Sequence, residues 1–391
     1  MALPPGFLDE LRARVSIAKV IERKVAWDQR KSQPAKGDYW ACCPFHQEKS
    51  SSFHVEDRKG FYYCFGCQAK GDAITFLREA ENMEFMEAVE TLAREAGMPM
   101  PEQDPQAAKQ QDRRAKLAEV MEQAAQFFRL QLKTSAGLGA RDYIARRGLS
   151  AATVDRFGIG FAPDSRTALI DALTGKGVEE KLLDEAGLIR VPEDGKRPYD
   201  WFRGRVMFPI RDPRGRCIAF GGRALSADTP AKYMNSPETL LFDKGRSLYN
   251  HGPARAASGK VGALIVAEGY MDVIALAQAG FGHAVAPLGT AITEDQVRLM
   301  WRIADEPVIA LDGDKAGLRA AMRVIDIALP MLEAGKSLRF ALMPEGQDPD
   351  DLIKAHGPAA MQAALDQALP MVELLWRRET ADQIFDSPER R

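Results

Sequence analysis

Nowhere in the 391 residues do apolar side chains run together for the length of a membrane-crossing helix, and Met1 to Glu10 lacks a basic segment leading into an apolar stretch. A spanning segment needs roughly 18 or more such residues and a secretory leader needs that basic-to-apolar order, so the expected location is the cytoplasm, with no membrane partner. Cysteine is scarce. Only five occur, four of them between Cys42 and Cys67, which is too few and too clustered for a disulfide framework in a chain this long and is the pattern of metal ligands. Cys217 lies apart in an apolar run and is expected in a core. Charge of one sign is also lacking, because 53 basic residues face 55 acidic ones, and the whole-chain balance therefore designates no partner. No Gly-x4-Gly-Lys-Ser/Thr sequence occurs, and Gly335-Lys336-Ser337 lacks the upstream glycine, which disfavours a fused helicase motor. What remains, 46% hydrophobic and 28% charged over this length, suits two or three ordinary globular domains.

Local charge is less even. Between Lys196 and Arg223 eight basic residues stand against Asp200 and Asp212, a local net of +6 that could neutralise a phosphate backbone. Residues 1–100 read as one unit, with an opening helical segment at Phe7 to Ile21, a Cys/His cluster, and helical patterns at Ala73 to Ala80 and Phe85 to Ala96. Pro99, Pro101 and Pro105 in Gln-rich surroundings mark 101–112 as a linker. A long helix from about Asp112 to Leu132 opens a basic segment, 113–258, with strand-like runs at Val206 to Arg211 and Cys217 to Phe220. Over 259–345 short apolar runs at Ala263 to Val266, His283 to Ala286, Val308 to Leu311 and Leu338 to Leu342 alternate with amphipathic stretches at Tyr270 to Gln278, Glu294 to Ile303 and Leu318 to Leu332. That alternation predicts a parallel sheet covered by helices, and Thr293 with Gln296 has the form of a capping box. The remainder, 346–391, reads as an acidic loop and the start of a helical segment.

Cys43, His46, Cys64 and Cys67 form Cys-x2-His, seventeen intervening residues, then Cys-x2-Cys. Two tight turns each supply two ligands, closing a tetrahedron around one Zn²⁺ with no open position, so the site is expected to be structural. Spacing to His46 prefers Cys43 over the adjacent Cys42. Phe45, Phe53, Phe61, Tyr62, Tyr63 and Phe65 surround the ligands, interleaved with Lys49, Arg58, Lys59 and Lys70. Such a mixture could stack bases and hold phosphates of a single strand, or equally supply the core of a small ribbon.

Glu268 follows one apolar run and Asp312 and Asp314 follow another. If both runs are parallel strands, these acids emerge at carboxyl ends, where open α/β sheets place their ligands. Carboxylates about 4 Å apart repel by about 4 kcal/mol per pair at an effective dielectric of about 20, so such a group calls for a cation, and oxygen-only donors favour Mg²⁺ or Mn²⁺. Asp348-Pro349-Asp350-Asp351 could complete a second metal position. Asp272 is expected to favour the start of the helix it enters.

These residues resemble the bacterial DNA primases. Asp38 to Leu77, with Cys-Pro-Phe-His, Cys-Phe-Gly-Cys and Gly71-Asp72, resembles that family's zinc-binding domain. Arg203-Gly-Arg-Val-Met-Phe-Pro-Ile-Arg-Asp, Phe220-Gly-Gly-Arg, Lys232-Tyr-Met-Asn-Ser-Pro and Phe242-Asp-Lys-Gly-Arg resemble the basic motifs of its polymerase domain, and Glu268 with Asp312-Gly-Asp its toprim signature. Ser50-Ser51-Ser52-Phe53 departs from the family's Thr-Pro-Ser-Phe, and Gln68-Ala69-Lys70 from a glycine-rich turn. The resemblance implies a multidomain chain of mixed α+β and α/β class: a zinc ribbon with helices, then a primase polymerase core containing a toprim parallel-sheet subdomain. It implies a DNA-dependent RNA polymerase that makes short primers on single-stranded DNA from ribonucleoside triphosphates. Glu268, Asp312, Asp314, Asp348 and Asp350 would hold two or more catalytic metals, and Arg147, Arg203, Arg205, Arg223, Lys232 and Lys244 would line the template and nucleotide path. A replicative helicase is the family's usual partner, but the helical remainder and helicase-binding domain are expected to be missing from a chain that stops at Arg391. Two alternatives share the fold: a strand-cleaving nuclease or topoisomerase, and a recombination mediator that clamps DNA without catalysis.

Overall fold

The computed structural model describes the chain except residues 1–2, 5, 49, 82, 102–104, 227, 230, 290 and 381–391. Lys49 and the end of the expected 346–391 segment therefore lie outside the described residues. The chain forms two compact units, Met1–Asp112 and Arg113–Arg391.

In the first unit four short strands, Asp38–Ala41, Phe53–Glu56, Phe61–Cys64 and Lys70–Gly71, pair antiparallel in chain order. Alternation buries Phe53, Val55, Tyr62 and Cys64 on one face. That face packs with Leu11, Ile17, Val20, Ile21, Phe76, Leu77 and Leu92 from the helices. The expected opening helix is two, Phe7–Arg14 and Ile17–Ile21. Val15 is extended, and the Ser16 side chain accepts from Lys19 N, so a capping serine makes a fresh start cheap. Asp57 fixes the break by accepting from Ser16 Oγ at 2.8 Å and Ala18 N at 2.9 Å.

The long helix spans Pro105–Lys133, beginning inside the stretch read as a linker, where Pro105 is tolerated in a first helical turn. Within the second unit its Leu117, Val120, Met121, Ala124 and Phe128 pack on Phe202, Met207, Cys217 and Phe220. These last belong largely to an antiparallel sheet whose order is Tyr233–Asn235, Cys217–Ala224, Arg205–Arg211, Gly160–Ala162. Cys217 is fully buried there, as its apolar setting implied.

The acid-bearing sheet has five strands in the order Ala284–Val285, Ile265–Val266, Val308–Gly313, Arg339–Glu345, Leu369–Pro370. The first four run parallel and the last antiparallel. Helices Tyr270–Gln278, Glu294–Trp301, Lys315–Ala328 and Pro349–Asp366 follow the four parallel strands' segments, the last kinking at Gly357 (φ 79°). Among the described residues no helix is long and apolar enough to cross a membrane.

Candidate metal centres and nucleic-acid interface

The ligand atoms of Cys43, His46, Cys64 and Cys67 all lie within 4.8 Å of one another, whereas Cys42 is exposed and outside the set. Cys43 Sγ sits 3.8 Å from Cys67 Sγ, and Cys64 Sγ 3.8 Å from His46 Nδ1. Burial pushes the Cys43 thiol up to about 12. Burial also opposes ionisation of Cys64, but hydrogen bonds from Ser52 and from the Cys67 and Gly66 backbone outweigh it and bring that thiol down to about 7. Three sulfurs and one imidazole nitrogen on two turns, with the Cys64 thiol already inclined to be thiolate, fit a tetrahedral zinc ion.

The surrounding aromatics divide into two sets. Phe53 and Tyr62 are fully buried and pack against Phe45 and Phe76, so they serve the core. Phe61 and Phe65 are exposed. Trp40 stacks on His54 (4.6 Å) and Phe65 (5.8 Å), with Lys31 Nζ 5.6 Å above its ring. Trp40 and Lys31 are not in the expected set because they precede the ligands in sequence: Trp40 meets His54 through strand pairing, and Lys31 reaches over the Trp40 ring from outside the strands.

In the second unit the strand directions put the acids along one edge. Glu268 lies just beyond Ile265–Val266, Asp312 is the penultimate residue of the central strand Val308–Gly313, and Asp348 follows Arg339–Glu345. The local sequence is dictated by crowding at the tip. A Cβ on Gly313 would lie 2.0 Å from Pro344 O, and one on Gly317 2.2 Å from Asp312 O, so Asp-Gly-Asp-Lys-Ala-Gly needs both glycines. Asp314 and Asp348 also cap the helices they precede, accepting from Gly317 N and Asp351 N, each at 2.7 Å. Glu268 Oε1 accepts from Asp312 N at 3.4 Å.

The charges crowd. Burial, then Glu268, Asp348 and Asp314, push the Asp312 carboxyl up to about 7. Asp272, read as a helix-start residue, does accept from Gly269 N at 3.0 Å, but it is also buried, and burial followed by Asp348, Asp312 and Asp350 raises it to about 8. Asp312 Oδ1 is buried with no hydrogen-bond partner. An orphaned carboxylate oxygen amid mutually opposed acids fits a divalent cation held by oxygen donors. Among the described residues, however, only the Cys/His tetrad gathers its ligand atoms into a ready-made cage, and the acids form a looser row.

The basic residues separate in a way the sequence did not foretell. Lys244 lines a cavity of about 350 Å³ with Glu268, Tyr233, Asn235 and Tyr270, so a cation stands beside the acids. Arg147 and Arg223 line a second cavity, of about 570 Å³, with Arg146, Lys354 and Tyr143. Their guanidinium carbons lie 5.8 and 4.1 Å from the Tyr143 ring. Arg203 and Lys232 are exposed. Arg205 corrects the expectation of a phosphate contact: it is buried and donates to Gly222 O at 3.2 Å, binding neighbouring strands together. Asp350 likewise departs from a free metal ligand. It is 1% exposed and pairs with Arg147 at 3.0 Å and with Lys354, one helical turn on. Lys354 carries no expectation because it lies beyond the strand-tip motifs, and only its i,i+4 spacing to Asp350 marks it; Asp272 is expected only as a helix-start residue, since its burial among the acids depends on distant elements.

A zinc ribbon and an acid-edged parallel sheet with a basic antiparallel subdomain define a toprim-class protein. The CHC2 zinc finger family matches residues 3–108, the DNA primase catalytic core, N-terminal domain, matches 127–255, and the Toprim domain matches 262–341. The DNA primase of Pasteurella multocida (strain Pm70) is 42% identical over 392 residues, covering 99% of this chain and 66% of that protein. The chain thus spans somewhat under two thirds of that relative's length. A crystal structure of the Aquifex aeolicus primase, zinc-binding and RNA polymerase domains, is 31% identical with a TM-score of 0.63, covering 98% of this chain and 90% of that one. The structure of a DnaG primase catalytic domain bound to ssDNA is 40% identical with a TM-score of 0.66, covering 71% and 87%. The chain belongs to the bacterial DNA primase family.

Proposed function

We propose that this chain is a DNA-dependent RNA polymerase that joins ribonucleoside triphosphates into short primers on single-stranded DNA. The observation that carries the reading is the row of acids at the carboxyl edge of the parallel sheet, with Asp312 Oδ1 left unpartnered beside Glu268 and with Lys244 on the adjoining cavity. Glu268, Asp312, Asp314 and Asp348 are the ligands for two Mg²⁺ or Mn²⁺ ions. Bound there, such ions would lower the pKa of a ribose 3′-hydroxyl and offset charge on a departing pyrophosphate. The protein's own part is placement. Lys244 meets nucleotide phosphate on the Glu268 side, and Arg147 and Arg223, held against Tyr143, meet template or nucleotide phosphate across the second cavity. Asp350 acts indirectly, by fixing Arg147 and Lys354 rather than by taking a metal itself. Arg203 and Lys232, being exposed, extend the basic path. The Trp40, His54 and Phe65 stack gives the zinc ribbon a surface for unpaired bases. The reading carries a cytoplasmic location with it, and a replicative helicase is assigned no contact residue.

The test is incubation with single-stranded DNA, labelled ribonucleotides and Mg²⁺. Short template-dependent RNA that disappears in Asp312→Ala, with the variant still folded, supports the reading. Full synthesis by that variant removes the metal assignment, and cut DNA in place of new RNA would favour the nuclease alternative.

A further inference from the structure

Beside the Cys/His tetrad lies a carboxylate that neither the zinc ligation nor the polymerase reading uses. The Glu48 side chain is only 10% exposed, unusual for a glutamate on a small domain. Its Oε1 accepts from Cys43 N at 2.6 Å and Ser52 N at 3.2 Å. Its Oε2 accepts from Ser52 Oγ at 2.5 Å and lies 3.3 Å from His46 Nε2. Ser52 Oγ in turn sits 3.3 Å from Cys64 Sγ. One carboxylate therefore touches two of the four ligand residues, Cys43 through its backbone and His46 through its ring, and holds the serine that lies beside a third, Cys64.

The ring orientation is fixed from the other side as well. Nδ1 of His46 faces Cys64 Sγ, and a Cβ on Gly66 would lie 2.7 Å from Nε2 and 2.8 Å from Cε1, so only glycine leaves room for the ring edge turned toward Glu48. A neutral imidazole carries one N–H and one lone pair, and an ionised carboxylate can only accept. Opposite Glu48 the proton must therefore sit on Nε2, which leaves the Nδ1 lone pair for the ion.

We propose that Glu48 is the positioning carboxylate of the zinc centre, selecting the His46 tautomer that binds through Nδ1 and anchoring the Cys43 turn. This rests on zinc filling the tetrad. The spacing of the ligands alone does not reveal it, since Glu48 lies two residues beyond His46 and is no ligand.

The experiment uses the full chain, unaltered and as Glu48→Gln and Glu48→Ala. Zinc content is measured first, then affinity by competition with a chromogenic chelator, then the His46 ring nitrogens by ¹⁵N-histidine NMR, which five histidines keep simple. The unaltered chain should hold one zinc, with Nδ1 metal-bound and Nε2 protonated. Glu48→Ala should lose about 10- to 100-fold in zinc affinity, the range for removing an outer partner of a metal-bound histidine. Glu48→Gln, of equal size, should also weaken binding, by about 10-fold or more, because an amide oxygen turned to Cys43 N and Ser52 N puts its NH₂ against the Nε2 proton. That variant carries the test should Glu48→Ala fail to fold. Metal on Nε2 in the unaltered chain, or unchanged affinity in Glu48→Gln, would overturn the proposal. A chain holding no zinc at all would remove the tetrad assignment, and this proposal with it.

Discussion

Arg205 and Lys232 carry the same charge and belong to the same expected phosphate path, yet one is buried among strands and the other stands in solvent. Lys232→Ala should lower the log–log salt slope of single-strand binding by about 0.7, the contribution of one phosphate contact, and an unaltered slope would take Lys232 off the path. Arg205→Ala should instead remove the side-chain donor to Gly222 O and lower stability by about 1–3 kcal/mol, with the slope unmoved at permissive temperature. A second residue-scale prediction concerns pH. Folding raises Asp312 to about 7 and Asp272 to about 8, both above the ordinary carboxylate range. A raised carboxyl favours the folded state while protonated, so this contribution is complete below about pH 4 and is lost as pH rises through 7 to 8. Without Mg²⁺, the second unit's melting temperature should fall between pH 5 and 9, Asp272→Asn should flatten the fall, and added Mg²⁺ should stabilise more at pH 8 than at pH 5. A melting curve that ignored both Mg²⁺ and Asp272→Asn would contradict the picture of crowded acids. The zinc ligands were legible because a tetrahedron needs only local spacing, and Cys43 was separable from Cys42 on that basis. The burial of Arg205 and Asp350 was not, because exposure of a charged residue depends on strands and helices far off in sequence.

At the scale of elements, the same polar side chains both start helices and build the site. Asp314 and Asp348 cap two helices behind the sheet edge, and Thr293 with Gln296 closes the box predicted for a third. Gln296 does more than close it. Fully buried, its Nε2 donates to Lys244 O at 2.9 Å and Ser247 O at 3.0 Å, holding the turn that presents Lys244 to the Glu268 cavity. Gln296→Ala should therefore cost about 1–3 kcal/mol for the stranded carbonyls and should raise the apparent KM for nucleotide more than it lowers kcat. An unchanged KM in a destabilised variant would confine Gln296 to a packing role. Periodicity showed the four parallel strands and the helices between them, because apolar runs of strand length cannot bury themselves singly. It could not show the fifth strand, Leu369–Pro370, whose two residues are too few to carry a period and whose Pro370 fits only an edge. Nor could it show the break at Ser16, where a capping hydroxyl and the distant Asp57 decide against one continuous helix.

For the molecule as a whole, two units with separate cores imply two separate stabilities. The first unit has a real core, with Leu11, Phe53, Tyr62, Phe76 and Leu77 fully buried, but its ribbon strands are only four residues or fewer and meet at the tetrad. Structural zinc contributes about 10–16 kcal/mol against a whole-domain stability of about 5–15 kcal/mol, so the ion outweighs what that core supplies alone. The second unit contains no residue of the tetrad. A zinc-selective chelator should therefore abolish or sharply lower one calorimetric transition of the full chain while leaving the other in place, and Mg²⁺ should shift only the survivor. Cys64→Ser should reproduce the chelator's effect without chelator. In primer synthesis the two losses should also differ: chelated chain should retain extension of a supplied primer end better than it retains initiation, because the acids, Lys244 and the Arg147 cavity all lie in the unit that stays folded. Equal loss of initiation and extension, with the second transition intact, would mean that the ribbon serves the joining step itself.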